Sequence, residues 1–241
     1  MNRIITVLLV CLCFSSFSQT SQQNHDFGLA LSYVPKEVNL SLSWKQTYGI
    51  TANKKFKLGY GVRFNTYANK DKYYVTAPAY LTSGEKGPHV LFIENLQENI
   101  DTFHVANAQH NSINAVIYLE YDFSEKWGIG FNIDAAGIAF GGSREGKMIS
   151  SNRPITSPEM VVAKPTPYNV LLVSDNDIGM LNSELYATYN FNQKLSVNAG
   201  LTFLFTEYTT EQEIPYNDNN DRFRYKSLMG MLSVHFKPFN N

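Results

Sequence analysis

Leu195-Ser196-Val197-Asn198-Ala199-Gly200-Leu201-Thr202-Phe203 is the stretch whose reading decides the fold. Apolar and small polar residues alternate through it without a break. Successive side chains on a strand point to opposite faces, so a period of two describes a strand with one apolar and one polar face. The same alternation recurs over residues 27–33, 38–50, 56–66, 113–123, 127–139 and 181–191, and an eighth segment covers 223–236. The six segments between the first and the last hold seven charged residues: Lys45, Lys57, Arg63, Glu120, Asp122, Asp134 and Glu184. Each shares its parity with the Ser, Asn, Gly and Thr residues, and none interrupts the apolar set. In the last segment the phase slips. Phe223 and Tyr225 are odd, Leu228, Leu232, Val234 and Phe236 even, which predicts a bulge near Ser227.

Two kinds of connection alternate along the chain. Residues 51–55, 124–126 and 192–194 are tight turns, and Pro35-Lys36 makes a short one; residues 68–112, 140–180 and 206–222 are long. A barrel that spans a bacterial outer membrane has short turns on one side, long loops on the other and an even strand count. Aromatics crowd the tight turns: Tyr121, Phe123 and Trp127 at one, Tyr189 and Phe191 at another, Tyr48 and Phe56 at the third, with Phe236 at the end of the last strand. That is where an interfacial girdle stands. A soluble ligand-binding barrel also has eight strands, but its polar face meets water and is dense in Lys and Glu. Here that face is mostly small. Small side chains suit the narrow inside of an eight-stranded barrel. The expected fold is therefore all-β, an eight-stranded antiparallel up-and-down transmembrane β-barrel with long extracellular loops.

The ends and the composition fit this reading. Met1-Asn2-Arg3, the apolar run 4–14 and Ser15-Ser16-Phe17-Ser18 have the layout of a secretory signal peptide. The expected organisation is a signal peptide at 1–18, a short linker at 19–26 and the barrel at 27–241. Cys11 and Cys13 both fall in the signal, so no disulfide framework is expected. Twenty basic against twenty-one acidic residues give a net charge of −1, with no electrostatic reason to expect nucleic acid.

On these patterns the chain resembles the small outer-membrane β-barrels, including the membrane domain of outer membrane protein A, and especially the compact barrels of Bacteroidetes. The start Phe14-Ser15-Ser16-Phe17-Ser18-Gln19 resembles signal peptides of that phylum. The closing strand Leu232-Ser233-Val234-His235-Phe236 is similar to the C-terminal signal read by the barrel-insertion machinery, although Lys237 to Asn241 follow it here. The resemblance implies the outer membrane of a Gram-negative bacterium, with outer-membrane lipid as surroundings.

Candidate chemistry is sparse. The seven inward charges, of both signs, are expected to form an internal ion-pair network, because buried charges require partners. His89, His104 and His110 share a long loop with Asp101 and Ser83, but no His-Glu-x-x-His or Gly-x-Ser-x-Gly pattern accompanies them. The Asn/Asp runs at 175–177 and 217–221 read as turns rather than calcium loops. No catalytic, cofactor or metal site is expected. The sequence points to a structural or interaction role, with extracellular loops contacting an envelope protein, a surface polymer or another external partner. The alternative is a narrow pore or an accessory subunit of a transport or secretion complex; a rim acyltransferase or protease is weaker. Residues 73–81, 89–93, 159–163 and 170–174 have strand-like content, which predicts an ordered outer cap of hairpins.

Overall fold

A computed structural model describes residues 24–77, 81–82, 100–150, 160–172, 176–214 and 220–238. The segment expected as a signal peptide, His89, Ser83 and residues 89–93 lie outside the described residues. Among the described residues eleven strands form in chain order: β1 (Asn24–Val34), β2 (Glu37–Gly49), β3 (Phe56–Thr76), β4 (Asp101–Asp122), β5 (Trp127–Phe140), β6 (Arg144–Ser150), β7 (Met160–Pro165), β8 (Tyr168–Val170), β9 (Leu181–Asn190), β10 (Leu195–Ile214) and β11 (Asn220–Phe236). Eight of them close a ring of antiparallel neighbours, β1-β2-β3-β4-β5-β9-β10-β11, which returns to β1 through pairs from Phe27↔Phe236 to Tyr33↔Gly230. The alternation therefore closes as the eight-stranded antiparallel barrel it describes.

The turns are built locally. Asn53 Oδ1 accepts the Lys55 amide at 3.1 Å, Ser124 Oγ accepts the Trp127 amide at 3.1 Å, and Asn192 Oδ1 accepts the Leu195 amide at 2.8 Å. Each replaces a backbone partner the tight reversal cannot supply. At the opposite end, Pro35 is followed by Lys36 at φ 71, the left-handed second position that a type II turn requires.

The segments expected as long loops are largely strand. β3, β4, β10 and β11 run to 21, 22, 20 and 17 residues, against roughly 9–11 for a strand that crosses a bilayer. Their extra length continues past the β1–β2 turn and builds a second ring. There β4 pairs with β6, β6 with β7 and β7 with β10, and β11 meets β3 directly through Phe223↔Thr76 and Arg224↔Val75. Six strands thus close a cap on top of eight. β8 pairs with β5 at Ala136↔Val170 to Ile138↔Tyr168, filling the wall above the short β9.

No bulge occurs near Ser227. The β10–β11 register is unbroken from Leu195↔Phe236 to Thr209↔Arg222. The apolar phase changes because the surroundings change, not the strand. Below the β1–β2 turn the outward side chains are apolar and exposed, Leu31 at 51 %, Leu42 at 53 % and Leu232 at 58 % among them, while Ser32, Ser41 and Ser233 point in. Above it the inward set becomes apolar: Tyr74, Phe103, Val105, Met148, Val161, Tyr208 and Phe223 form one buried cluster inside the cap. On β11 this makes Phe223 inward and apolar and Leu228 outward and apolar. β3 and β4 also rotate together at this height. Asn69 and Ala108 are buried below, Tyr74 and Val105 above, with Asp71 at φ 57 between, yet Lys70↔Asn107 and Lys72↔Val105 keep one register.

Candidate functional site

The barrel interior is stacked in layers of paired charge. At the turn end, the Lys45 ammonium sits between the Glu120 carboxylate and Asp26, 3.4 Å from the latter. Tyr186 donates to Glu120 at 2.9 Å, and His235 Nδ1 lies 2.9 Å from Asp26 Oδ1. Lys57 and Asp122 pair at 2.6 Å nearer the mouth, where they line a shallow hollow with Lys237. Gly130 makes this layer possible. A Cβ there would lie 2.4 Å from the Tyr186 ring, so only glycine lets the tyrosine cross the lumen to Glu120.

The middle layer is the tightest. Arg63 Nε donates to Asp134 Oδ1 at 3.0 Å, Nη1 reaches Asn132 Oδ1 at 2.9 Å and Glu184 at 3.0 Å, and Nη2 reaches the Asn182 carbonyl at 2.7 Å. The second Asp134 oxygen accepts Asn114 Nδ2 at 2.7 Å and the Asn182 amide at 2.9 Å. The guanidinium fork matches its acceptors on the two strands β5 and β9, as a fully desolvated pair requires. A bulge in β5, between Ala115↔Ala136 and Val116↔Asp134, adds one residue. The spare Ala135 carbonyl accepts the Leu171 amide at 2.9 Å, tying the segment after β8 to the wall.

Beside the β1–β2 turn, Glu37 receives the Lys72 ammonium, the Tyr67 hydroxyl at 2.8 Å, the Tyr225 hydroxyl at 2.7 Å and the Ser227 hydroxyl. Burial pushes the Glu37 carboxyl up, but Lys72 and the three hydroxyls outweigh it and hold it below its usual value. Burial likewise depresses Lys72, and Glu37 and Tyr225 reverse this to leave it raised. On the outer wall of the cap, Glu207 is buried between Arg222 at 2.6 Å and Arg224 at 3.1 Å.

All seven sequence-selected charges point into the barrel. Lys45 joins the turn-end layer, and Arg63, Asp134 and Glu184 meet in a single cluster. Asp26 had been assigned to a linker, but β1 begins at Asn24 and takes it into the wall; its parity with Gly28 and Ala30 was the available signal. Lys72, Glu207 and Arg222 stand in regions expected as loop, Glu37 follows the short turn, and Arg224 lies in the last segment, where the slip of phase left parity without a frame. The histidines do not converge. His104 faces out, 2.8 Å from Asp71 and stacked on Tyr73 at 4.5 Å, whereas His110 is buried inside against Tyr208 at 4.3 Å. His104 and Lys36 hold the exposed Asp71 carboxyl below its usual range. Among the described residues no group of three or more His, Cys, Asp or Glu could hold a metal ion. Asp175 and residues 217–219 lie outside them.

No protein-family model matches the chain, and no curated protein matches it in sequence. Among solved structures it is similar to Neisserial surface protein A, at 11% identity over 91% of this chain and 99% of that one with a TM-score of 0.38. It is also similar to the Yersinia pestis outer membrane protein Ail, at 9% identity over 90% and 99% with a TM-score of 0.31. A third, a Pseudomonas aeruginosa FadL homologue, has 7% identity over 83% and 68% with a TM-score of 0.25. Scores at this level carry no functional conclusion.

Proposed function

We propose that this chain is an outer-membrane β-barrel protein of a Gram-negative bacterium, exported through a cleaved signal peptide. Its eight-stranded part spans the membrane, and its six-stranded cap stands outside as a rigid platform for an envelope protein, a surface polymer or another external partner. The observation that carries this is that the interior turns apolar at one height, although Tyr73, Val75, Met160 and Val162 stay exposed on the outer face of the cap. Below the β1–β2 turn apolar side chains face out and charges face in, as in lipid; above it the apolar cluster faces in, as in water. The turn-end aromatics support the same frame, with Trp127 and Tyr189 rings 4.8 Å apart and Tyr189 and Phe191 5.1 Å apart at the opposite rim.

The role is non-catalytic and the barrel does not conduct. Arg63, Asp134 and the four asparagine groups around them fill the lumen at mid-height, and both charged side chains are at most 1% exposed. Fractionation with heat-modifiable migration tests the location: recovery in the outer membrane with a gel shift on boiling is expected, and recovery in the soluble periplasmic fraction would overturn it. Planar-bilayer recording tests the plug. Steady ohmic channels from purified protein would replace this reading with that of a narrow pore or transport accessory. The barrel-insertion machinery is the expected partner during biogenesis, through β11.

A further inference from the structure

The outward column of β11 changes character abruptly. From the turn end it reads Phe236, Val234, Leu232, Gly230 and Leu228, and then Lys226. Strand register extends that change sideways. Tyr33 pairs with Val38 and Val38 with Ala68, the last uncharged row on β1, β2 and β3. The next row up holds Lys36 in the turn and Lys70 on β3, joined by a 3.0 Å bond from the Lys70 amide to the Lys36 carbonyl. Lys226 stands about one row higher, four residues above Gly230, which pairs with Tyr33, and two below Arg224, which pairs with Val75. Neighbouring strands are about 4.8 Å apart, so the three backbones lie within roughly 15 Å of one another.

The row is one-sided. At the corresponding height β4 presents Asn107 and Gln109, and across from Lys226 β10 holds Phe205, buried under the Arg224 guanidinium. The Lys36 side chain is 60% exposed, and Lys70 and Lys226 are exposed. Among the described residues, Asp71 is the acid printed against this row, bound to Lys36 at 3.1 Å and shared with His104. Lys226 makes contacts within the chain as well.

We infer that a phosphate-bearing glycolipid headgroup of the outer leaflet docks on the patch Lys36, Lys70 and Lys226, with its acyl chains against the apolar columns beneath. The two halves of the site match an amphiphile and nothing smaller. Tyr33 at 61% and Leu228 at 60% exposure offer apolar surface within three residues of the lysines. A free anion would use only the charges, and an acidic protein would have no use for the columns. The inference rests on the outer-membrane reading above and names the lipid that the barrel selects.

The test uses the full chain in phosphatidylcholine nanodiscs, titrated with diphosphorylated lipid A, with its dephosphorylated form and with inorganic phosphate. Each lysine near an anionic surface is worth about fivefold, so the K36Q/K70Q/K226Q variant is expected to bind the diphosphorylated lipid roughly 100-fold more weakly. K147Q/K164Q, on another side of the cap, should bind as the wild type does. The wild-type affinity should also fall between 50 mM and 500 mM salt, since exposed charges are screened. Equal binding by the triple variant, equal binding of the dephosphorylated lipid, or inorganic phosphate binding as tightly as the lipid would each overturn the inference. Heat-modifiable migration of the variant in plain phosphatidylcholine controls for folding. A chain that inserts but ignores the phosphate leaves the membrane reading intact, whereas a chain that fails to insert removes both.

Discussion

Replacing Arg63 by Met should destabilise the barrel by about 3–5 kcal/mol, the cost of leaving a buried charge without its partner. The guanidinium is 1% exposed and Asp134 beside it 0%. Removing it leaves Asp134 and Glu184, side by side on the paired strands β5 and β9, with only amides as partners. The amides that remain, Asn114 and the Asn182 backbone, already serve the other Asp134 oxygen and cannot turn to the vacated one. Asp134→Asn should cost less, about 1–3 kcal/mol, because Arg63 keeps Glu184 at 3.0 Å. Combining Arg63→Met with Asp134→Asn removes one of the two acids that the cation balanced and leaves Glu184 to the Asn132 and Asn182 amides. The double variant should therefore sit well short of the sum of the singles, with a coupling of about 2 kcal/mol or more. Urea unfolding in phospholipid vesicles, followed by Trp44 and Trp127 fluorescence, reads all three. Additive losses, or a loss below about 1 kcal/mol for Arg63→Met, would show that the middle layer is not held by this pair.

The other expectations test different levels. Gly130→Ala should push Tyr186 off Glu120 and cost about 1–3 kcal/mol by overpacking, measured in the same unfolding assay; no change would mean the ring has room to spare. The change of surroundings predicts opposite outcomes for one chemistry at two heights. Leu31→Lys, on the lower outer face, should cost about 2–4 kcal/mol of folding in lipid, while Tyr73→Lys on the outer face of the cap should be tolerated, and equal costs would refute the change. Phe103→Ala inside the cap should cost about 3–5 kcal/mol locally and expose the cap to protease without abolishing the gel shift on boiling. Glu37 titrates below its usual value, so its contribution is full above pH 4.5 and disappears as pH falls through the lowered value. Lys72 is raised, so its share is full below pH 10.5 and is lost as pH rises beyond it. Glu37→Gln should flatten the acid limb of a stability–pH curve; an unchanged acid limb would place the loss elsewhere.

Parity alone carried the barrel. Ser196, Asn198 and Thr202 had to share a face with Arg63 and Glu120, because a period of two leaves no other arrangement. Tight turns were equally legible, since Asn53, Ser124 and Asn192 signal themselves locally. The cap was harder for a physical reason. Tyr74, Phe103 and Tyr208 alternate as strands do, but their apolar side turns inward while that of Leu31 turns outward, and a sequence does not state which solvent surrounds a residue. Phe223 and Tyr225 registered as a slip for the same reason. The pairing partners within the barrel were illegible for another: Arg63 could have met any inward acid, and only strand stagger brings Asp134 and Glu184 to its height rather than Glu120. Glu37 was hidden by a turn whose proline drew attention to the backbone.

The strand that seals the barrel also seals the cap. β11 meets β1 along Phe27↔Phe236 to Tyr33↔Gly230 and, further up, meets β3 at Phe223↔Thr76. Neither cylinder can close before the last residues of the chain arrive. Until then Tyr74, Phe103 and Tyr208 have no core to enter, and the outer faces of eight strands have no lipid. Contacts that join the first strand to the last are the slowest kind to form and leave apolar surface open to wrong partners in the meantime. The cap therefore cannot serve as a prefolded module that the barrel later receives; the two mature in one closing event, and a chain cut short before β11 would lose both together.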